Sequence, residues 1–203
     1  GAAAPLGLLA PGISRAGAKN IVALTHGHEV WWSKLWPFSW AIKQIGAKVD
    51  SITYLGSYTR QAISKALSKS SQSKLVRLAP GIDTEHFSPA KKSPRVRRDL
   101  GLEDKKVIVS VGRLVHRKGQ DHLIQSLPEI LRSVPNAHVL MVGQGPYLSH
   151  LKKLVKDLNL VDHVSFIGRI QYTQLPQYIC AGDVFVMPSR SRFFGLEVEG
   201  LGI

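Results

Sequence analysis

The sequence predicts an α/β protein whose sheets are parallel and covered by helices on both faces. Short β-branched runs alternate with amphipathic stretches over most of the 203 residues, the trace that strand–helix–strand units leave in a chain. Residues 107–111 read as an apolar strand, as expected when helices lie on both sides of a sheet. Glycine follows three consecutive strands, at Gly112, Gly143 and Gly168. In such sheets ligands bind at the carboxyl ends of the strands.

The elements follow in order. Residues 1–13 (GAAAPLGLLAPGI) are apolar but interrupted by Pro5 and Pro11. They lack a basic leader and fall short of the about 20 residues of a membrane-spanning helix, so they are read as a buried helix. Residues 21–24 read as a strand and 33–46 as a helix in which Pro37 must sit in a first turn or break the element. A strand at 49–55, a helix at 58–67 capped by Ser57 and a strand at 74–78 complete a first domain, residues 1–81. Periodicity fades over 82–104 while Lys91, Lys92, Arg95, Arg97 and Arg98 crowd together and Pro89 and Pro94 punctuate, which predicts an interdomain linker. The second domain, 105–203, is expected to hold strands at 107–111, 137–142, 164–167 and 184–187. Its helices are marked by Leu123, Leu127, Ile130 and Leu131, by Leu148, Leu151, Leu154 and Leu158, and by residues 173–181. The chain has no initiator Met and stops within a motif, so both domains are expected to be incomplete pieces of a longer protein.

Hydrophobic residues make up 44% and charged ones 20%, a globular balance. The formal net charge is +13, from 27 Lys and Arg against 14 Asp and Glu. So large a surplus calls for an anionic partner: nucleic acid, a phosphorylated ligand or a lipid surface. A single cysteine, Cys180, excludes a disulfide framework and a cysteine-based zinc site.

Candidate chemistry lies after the strands. Gly112, Arg113 and Lys118 follow the first strand of the second domain, a turn plus two cations able to neutralise a diphosphate without a metal. Gly143 and Gly145 follow the next strand, but Leu148 stands where a dinucleotide fingerprint wants Gly or Ala, which argues against a nicotinamide site. Gly168, Arg169 and Ile170 close the third. After the fourth come Arg190 and Arg192, then Glu197, Glu199, Gly200 and Gly202, where carboxylates suit sugar hydroxyls and Gly200 backbone N–H a phosphate. In the first domain, His26, His28 and Glu29 follow a strand. They are too few for a zinc site and fit a place beside a reacting sugar. Trp31, Trp32, Trp36, Phe38 and Trp40 are close in sequence, as at a membrane–water interface or in a core cluster.

Taken together, T-H-G-H-E at 25–29, A-P-G-I-D at 79–83, S-V-G-R-L-V-H-R-K-G-Q-D at 110–121, V-G-Q-G at 142–145, F-I-G-R-I at 166–170 and M-P-S-R at 187–190 resemble the retaining glycosyltransferases of GT-B architecture, family four. G-L-E-V-E-G-L-G-I at 195–203 resembles the G-L-D-V-E-G-L-G-I of actinobacterial GDP-mannose-dependent phosphatidylinositol-mannoside mannosyltransferases. The resemblance implies two Rossmann-like domains that close on the donor, with residues 80–105 as hinge. It implies that Arg113 and Lys118 grip the donor diphosphate. Glu199 is then the first glutamate of the E-x-x-x-x-x-x-x-E motif that contacts the donor sugar, its partner falling outside this chain. Gly168, Arg169 and Ile170 lie near the base, and His26 leans over the transferred sugar, with His28 and Glu29 on the acceptor side. The family's glycine-rich phosphate loop is not in this sequence, so the fragment alone is expected to be inactive.

The same resemblance implies GDP-mannose as substrate, no required cofactor or metal, and an anionic glycolipid acceptor. Location at the cytoplasmic face of the cell membrane follows, held there by the basic surface at about 1 kcal/mol per well-placed cation. No protein base is expected, because the departing phosphate takes the acceptor's proton. Two alternatives stand beside this reading: an enzyme of the same fold using a UDP- or ADP-sugar and a soluble acceptor, and a basic nucleic-acid-binding module, for which no recognised motif is present.

Overall fold

The computed structural model describes residues 3–27 and 29–190. They fall into two compact units, one within Gly1–Gly81 and one of Ile82–Arg190.

In the first unit a 3-10 turn, Leu6–Leu9, runs into α1 (Ala10–Arg15), followed by β1 (Val22–Ala23), α2 (Glu29–Trp32), α3 (Phe38–Lys48), β2 (Ser51–Tyr54), α4 (Ser57–Ser64), α5 (Lys69–Gln72) and β3 (Leu75–Arg77). The strands form a parallel sheet in the order β1-β2-β3. Ile42, Ile45, Val49, Ile52, Ile63 and Leu67 make its core. The opening segment departs from the buried helix expected over 1–13. Pro11 lies in the first turn of α1, where its missing N–H and fixed φ start a helix rather than continue one. Of that segment's described residues only Ala3, Ala4 and Ala10 are buried, while Leu6, Leu8, Leu9 and Ile13 are exposed. Pro37 likewise precedes α3 as its capping residue, so the helix expected from 33 begins at Phe38. Gly56, not Ser57, caps α4.

The second unit holds a 3-10 turn, Pro89–Lys91, α6 (Pro94–Asp99), β4 (Lys106–Val111), a 3-10 turn, His116–Lys118, α7 (Gln120–Ser133), β5 (Ala137–Val142), α8 (Leu148–Asp157), β6 (Val164–Gly168), α9 (Leu175–Cys180) and β7 (Val184–Phe185). All four strands are parallel, in the order β6-β5-β4-β7. Alternate residues of β5 face opposite layers, as strand geometry requires. Val139 and Met141 pack with Ile124, Leu127 and Leu151 of α7 and α8, whereas Leu140 and Val142 pack with Val96, Leu102 and Ala181.

The second of those layers includes part of the 82–104 segment that the sequence reads as linker. Val96 and Leu102 are buried, their apolar spacing masked in the sequence by the surrounding basic residues. Arg97 ties the segment down, pairing with Asp183 at 2.7 Å and donating to the Ala181 carbonyl at 2.9 Å. Among the described residues no helix is long and apolar enough to cross a membrane.

Candidate active site

After β4 the chain moves to one side of that strand, through β5 to β6, and β7 then pairs with its other side. The crevice at the carboxyl ends of β4 and β7 is therefore the topological switch point, where ligands bind on sheets of this kind. Gly112 follows β4, Gly143 follows β5 and Gly168 ends β6.

The loops above these strands are locked backbone to backbone. Gly112 N donates to Val142 O at 3.0 Å, Gly143 N to Gly168 O at 2.7 Å, Leu114 N to Gln144 O at 3.0 Å and Tyr147 N to Leu114 O at 3.1 Å. Gly145 leaves no room for a Cβ, which would stand 2.1 Å from Leu114 O, and two further glycines are required both sterically and by a positive φ. Gly143 has φ +141 and a Cβ there would stand 2.0 Å from Gly112 O, and Gly119 has φ +70 with its Cβ position 1.9 Å from Pro188 O. A side chain at either place would push the loops apart.

This frame carries the two cations singled out in the sequence on one loop. Arg113 is exposed and its side chain makes no hydrogen bond or ion pair among the described residues, while its carbonyl accepts from Gln120 Nε2 at 3.3 Å. Lys118 is half-buried and ends the 3-10 turn that precedes Gly119 and α7. Gly145 lies in the loop between β5 and α8. Of the segment expected near a base, Ile170 packs against the Val107–Leu140 layer and Arg169 is the exposed side chain.

Sequence reasoning missed the group that braces the crevice. Asp121, in the first turn of α7, is 6% exposed. It pairs with Arg190 Nη2 at 2.8 Å and accepts from Tyr147 Oη at 3.1 Å. Arg190 N also donates to Arg117 O at 2.9 Å, and its guanidinium meets His122 Nε2. The chain after β7 is thereby stitched to the loop after β4. Burial pushes the Asp121 pKa up, but the Arg190 guanidinium and the Tyr147 hydroxyl outweigh it and hold the carboxyl below its ordinary value. Tyr147 is raised in turn, by burial first and then by the Asp121 charge. The two ends of the ion pair lie 69 residues apart. The one available signal was Asp121 closing the 110–121 motif.

In the first unit, the loop after β1 is held by side chains. Thr25 Oγ1 donates to Thr53 O at 2.6 Å, and Glu29 Oε2 accepts from His26 N at 3.0 Å and Gly27 N at 3.1 Å. Glu29, expected to face an acceptor, is 1% exposed. The enclosed carboxylate holds the turn through those two backbone N–H groups, and His26 is exposed at the strand end. His28, Glu199 and Gly200 lie outside the described residues. Among the described residues no three His, Cys, Asp or Glu gather where one cation would reach them.

Glycosyl transferases group 1 match residues 92–203. Over its whole length the chain is 47% identical to the GDP-mannose-dependent alpha-(1-6)-phosphatidylinositol monomannoside mannosyltransferase of Mycolicibacterium smegmatis, covering 53% of that protein. It is 40% identical to the GDP-mannose-dependent monoacylated alpha-(1-6)-phosphatidylinositol monomannoside mannosyltransferase of Corynebacterium glutamicum, again over 53% of it. The chain thus spans about half the length of the curated relatives it matches. In fold it is similar to sucrose-phosphate synthase of Thermosynechococcus elongatus (TM-score 0.72, 22% identity, 97% of this chain and 49% of that one). It is equally similar to HepE of Anabaena (TM-score 0.72, 21% identity, 91% and 49%). These likenesses bear out the expected parallel-sheet GT-B fold. With the family match over the second unit's crevice and the identity that runs from end to end, the chain belongs to the group 1 glycosyl transferases.

Proposed function

We propose that the full-length protein moves a mannosyl group, with retained configuration, from GDP-mannose to a phosphatidylinositol-mannoside acceptor at the cytoplasmic face of the membrane. The observation that carries this reading is the 47% identity, over all of the chain, to a relative described as GDP-mannose-dependent and acting on phosphatidylinositol monomannoside. The crevice at the switch point supports it.

In this reading the bond between the anomeric carbon and the diphosphate oxygen breaks while the acceptor oxygen bonds to the same face of that carbon. The acceptor's proton passes to the departing phosphate. Negative charge grows on the leaving group as the sugar becomes oxocarbenium-like. Fixed cations at Arg113 and Lys118 stabilise that charge, the electrostatic contribution that usually dominates such catalysis. Gly143 and Gly168 keep side-chain bulk away from the nucleotide, and Arg169 flanks the base. The Asp121–Arg190 pair holds the mouth of the crevice in shape. Glu199 holds the sugar hydroxyls, Gly200 offers its N–H to phosphate, and His26 serves the acceptor side.

The test is mannosyl transfer from GDP-mannose by the full-length protein, with and without phosphatidylinositol mannoside. Arg113→Ala and Lys118→Ala should each lower turnover at least ~10²-fold. Thermal shifts with GDP, UDP and ADP separate the donors, since a bound nucleotide raises stability by mass action. GDP should give the largest shift. Stabilisation by UDP or ADP alone, or transfer from their sugars alone, would overturn the assignment.

A further inference from the structure

The loop that the proposed function sets beside the nucleotide base is pinned at both ends. Its first residue, Gly168, has φ +78 and accepts from Gly143 N at 2.7 Å, which ties the end of β6 to the glycine after β5. Its last, Tyr172, opens a 3-10 turn ahead of α9. Between them stand Arg169, exposed, and Ile170, packed into the layer beneath.

The partner of Tyr172 lies 86 residues earlier in the chain. His86 Nε2 meets the Tyr172 carbonyl at 3.1 Å, and because a carbonyl only accepts, that nitrogen carries the proton. The imidazole lies flat on the phenol ring, with centroids 4.5 Å apart and planes 14° from parallel. Phe87 stands edge-on to both rings, at 4.8 and 5.6 Å. A local turn presents this pair. Asp83 Oδ1 accepts from Glu85 N at 3.0 Å and His86 N at 2.9 Å, and Phe87 N donates to Asp83 O at 2.9 Å, the way an aspartate folds the residues that follow it.

Past Phe87 the packing loosens. A cleft of about 370 Å³ opens between Phe87, Ser88 and Pro89 and the α9 residues Pro176, Ile179 and Cys180. It is crossed by a weak bond from Cys180 Sγ to Ser88 O at 3.7 Å. The grip of this segment on the loop after β6 is thus concentrated at His86 and Phe87.

A pinned loop has less conformational freedom to lose when a ligand orders it, and the difference appears as affinity. We infer that His86, through its stack and hydrogen bond on Tyr172, is a positioning residue for nucleotide binding. It holds the Gly168–Tyr172 loop in the shape that receives the base, with Arg169 in place before the donor arrives. This role rests on the proposed function for the loop's place beside the base, and adds a residue that sets donor affinity without touching the reacting atoms.

His86→Ala in the full-length protein tests it, by titration calorimetry with GDP and with inorganic pyrophosphate and by steady-state transfer from GDP-mannose. Loss of the stack and of one hydrogen bond should weaken GDP binding about tenfold. KM for GDP-mannose should rise to match, with kcat changed less than about twofold. Pyrophosphate, which has no base, should bind as it does to the parent. His86→Phe keeps a ring without the donor and should return GDP affinity to within about threefold of the parent. Amide exchange at residues 169–172 should quicken in ligand-free His86→Ala, while unchanged exchange in β5 shows the fold intact. Undiminished GDP affinity, an equal loss for pyrophosphate, or a fall in kcat at constant KM would overturn the inference. So would exchange at 169–172 that ignores the substitution, whichever nucleotide is the donor. A parent that binds UDP in place of GDP would refute the proposed function, and the same loss on UDP in His86→Ala would leave the positioning role standing.

Discussion

The two units meet one requirement, a loop held still at the end of a parallel strand, by different means. In the second unit the restraint is backbone on backbone, with Gly143 so close to Gly112 O that a Cβ would stand 2.0 Å away. In the first, β1 pairs through two residues, and the following turn depends on Thr25, Thr53 and the Glu29 carboxylate. A backbone lock is intolerant of added atoms, whereas a side-chain lock responds to the loss of one acceptor or one charge. The Asp121–Arg190 pair brings some of that second sensitivity into the second unit.

Four substitutions sharpen or break this contrast. Gly143→Ala should destabilise most, by about 3 kcal/mol, from overpacking plus a positive φ that alanine resists; denaturant unfolding would measure it. A loss below about 1 kcal/mol would show that the crevice loops yield, and the backbone-lock account would fail. Asp121→Asn should cost about 2 kcal/mol by leaving the Arg190 guanidinium short of its counter-charge, with faster amide exchange at residues 186–190.

That same variant carries a pH signature. The folded carboxyl of Asp121 titrates below its unfolded value, so its contribution is complete above about pH 4 and is lost as pH falls through the folded value. Asp183 acts in the same direction. Burial there opposes ionisation but is outweighed by the Val107 N–H and Arg97. Asp121→Asn should therefore flatten the acid limb of the stability curve, and an unchanged limb would remove the charge from the account.

Glu29→Gln comes next, at about 1 kcal/mol, since the amide oxygen still accepts but without charge. Its effect should show as exchange at His26 and Gly27, with the second unit unaltered. Smallest is Lys153→Ala. It removes the exposed pair with Asp157 at 2.6 Å and should shift stability by no more than about 0.5 kcal/mol.

Much of the second unit was legible because its signals are local. The β4 and β5 runs, the glycines that follow them and the Leu123–Leu127 spacing of α7 each declare themselves within a few residues. The loop of Arg113 and Lys118 was legible for the same reason. Misreadings arose where two signals overlapped. Prolines converted the apolar opening from a buried helix into a turn and a short helix with exposed leucines, and basic residues hid the core role of Val96 and Leu102. The burial of Glu29 was not legible either, since its motif records proximity to His26 whereas burial follows from how α2 packs.

The sequence by itself determined the order and period of the elements, the glycines that follow β4, β5 and β6 and the surplus of positive charge. These follow from sterics and hydrophobic spacing acting between near neighbours. Only the tertiary structure decided that β4 lies between β5 and β7, that Asp121 finds Arg190 across 69 positions and that Trp36 and Trp40, rather than Trp31 and Trp32, face outward. Such pairings form only once the chain has closed long loops and set strand register, and neither leaves a local mark on the residues concerned.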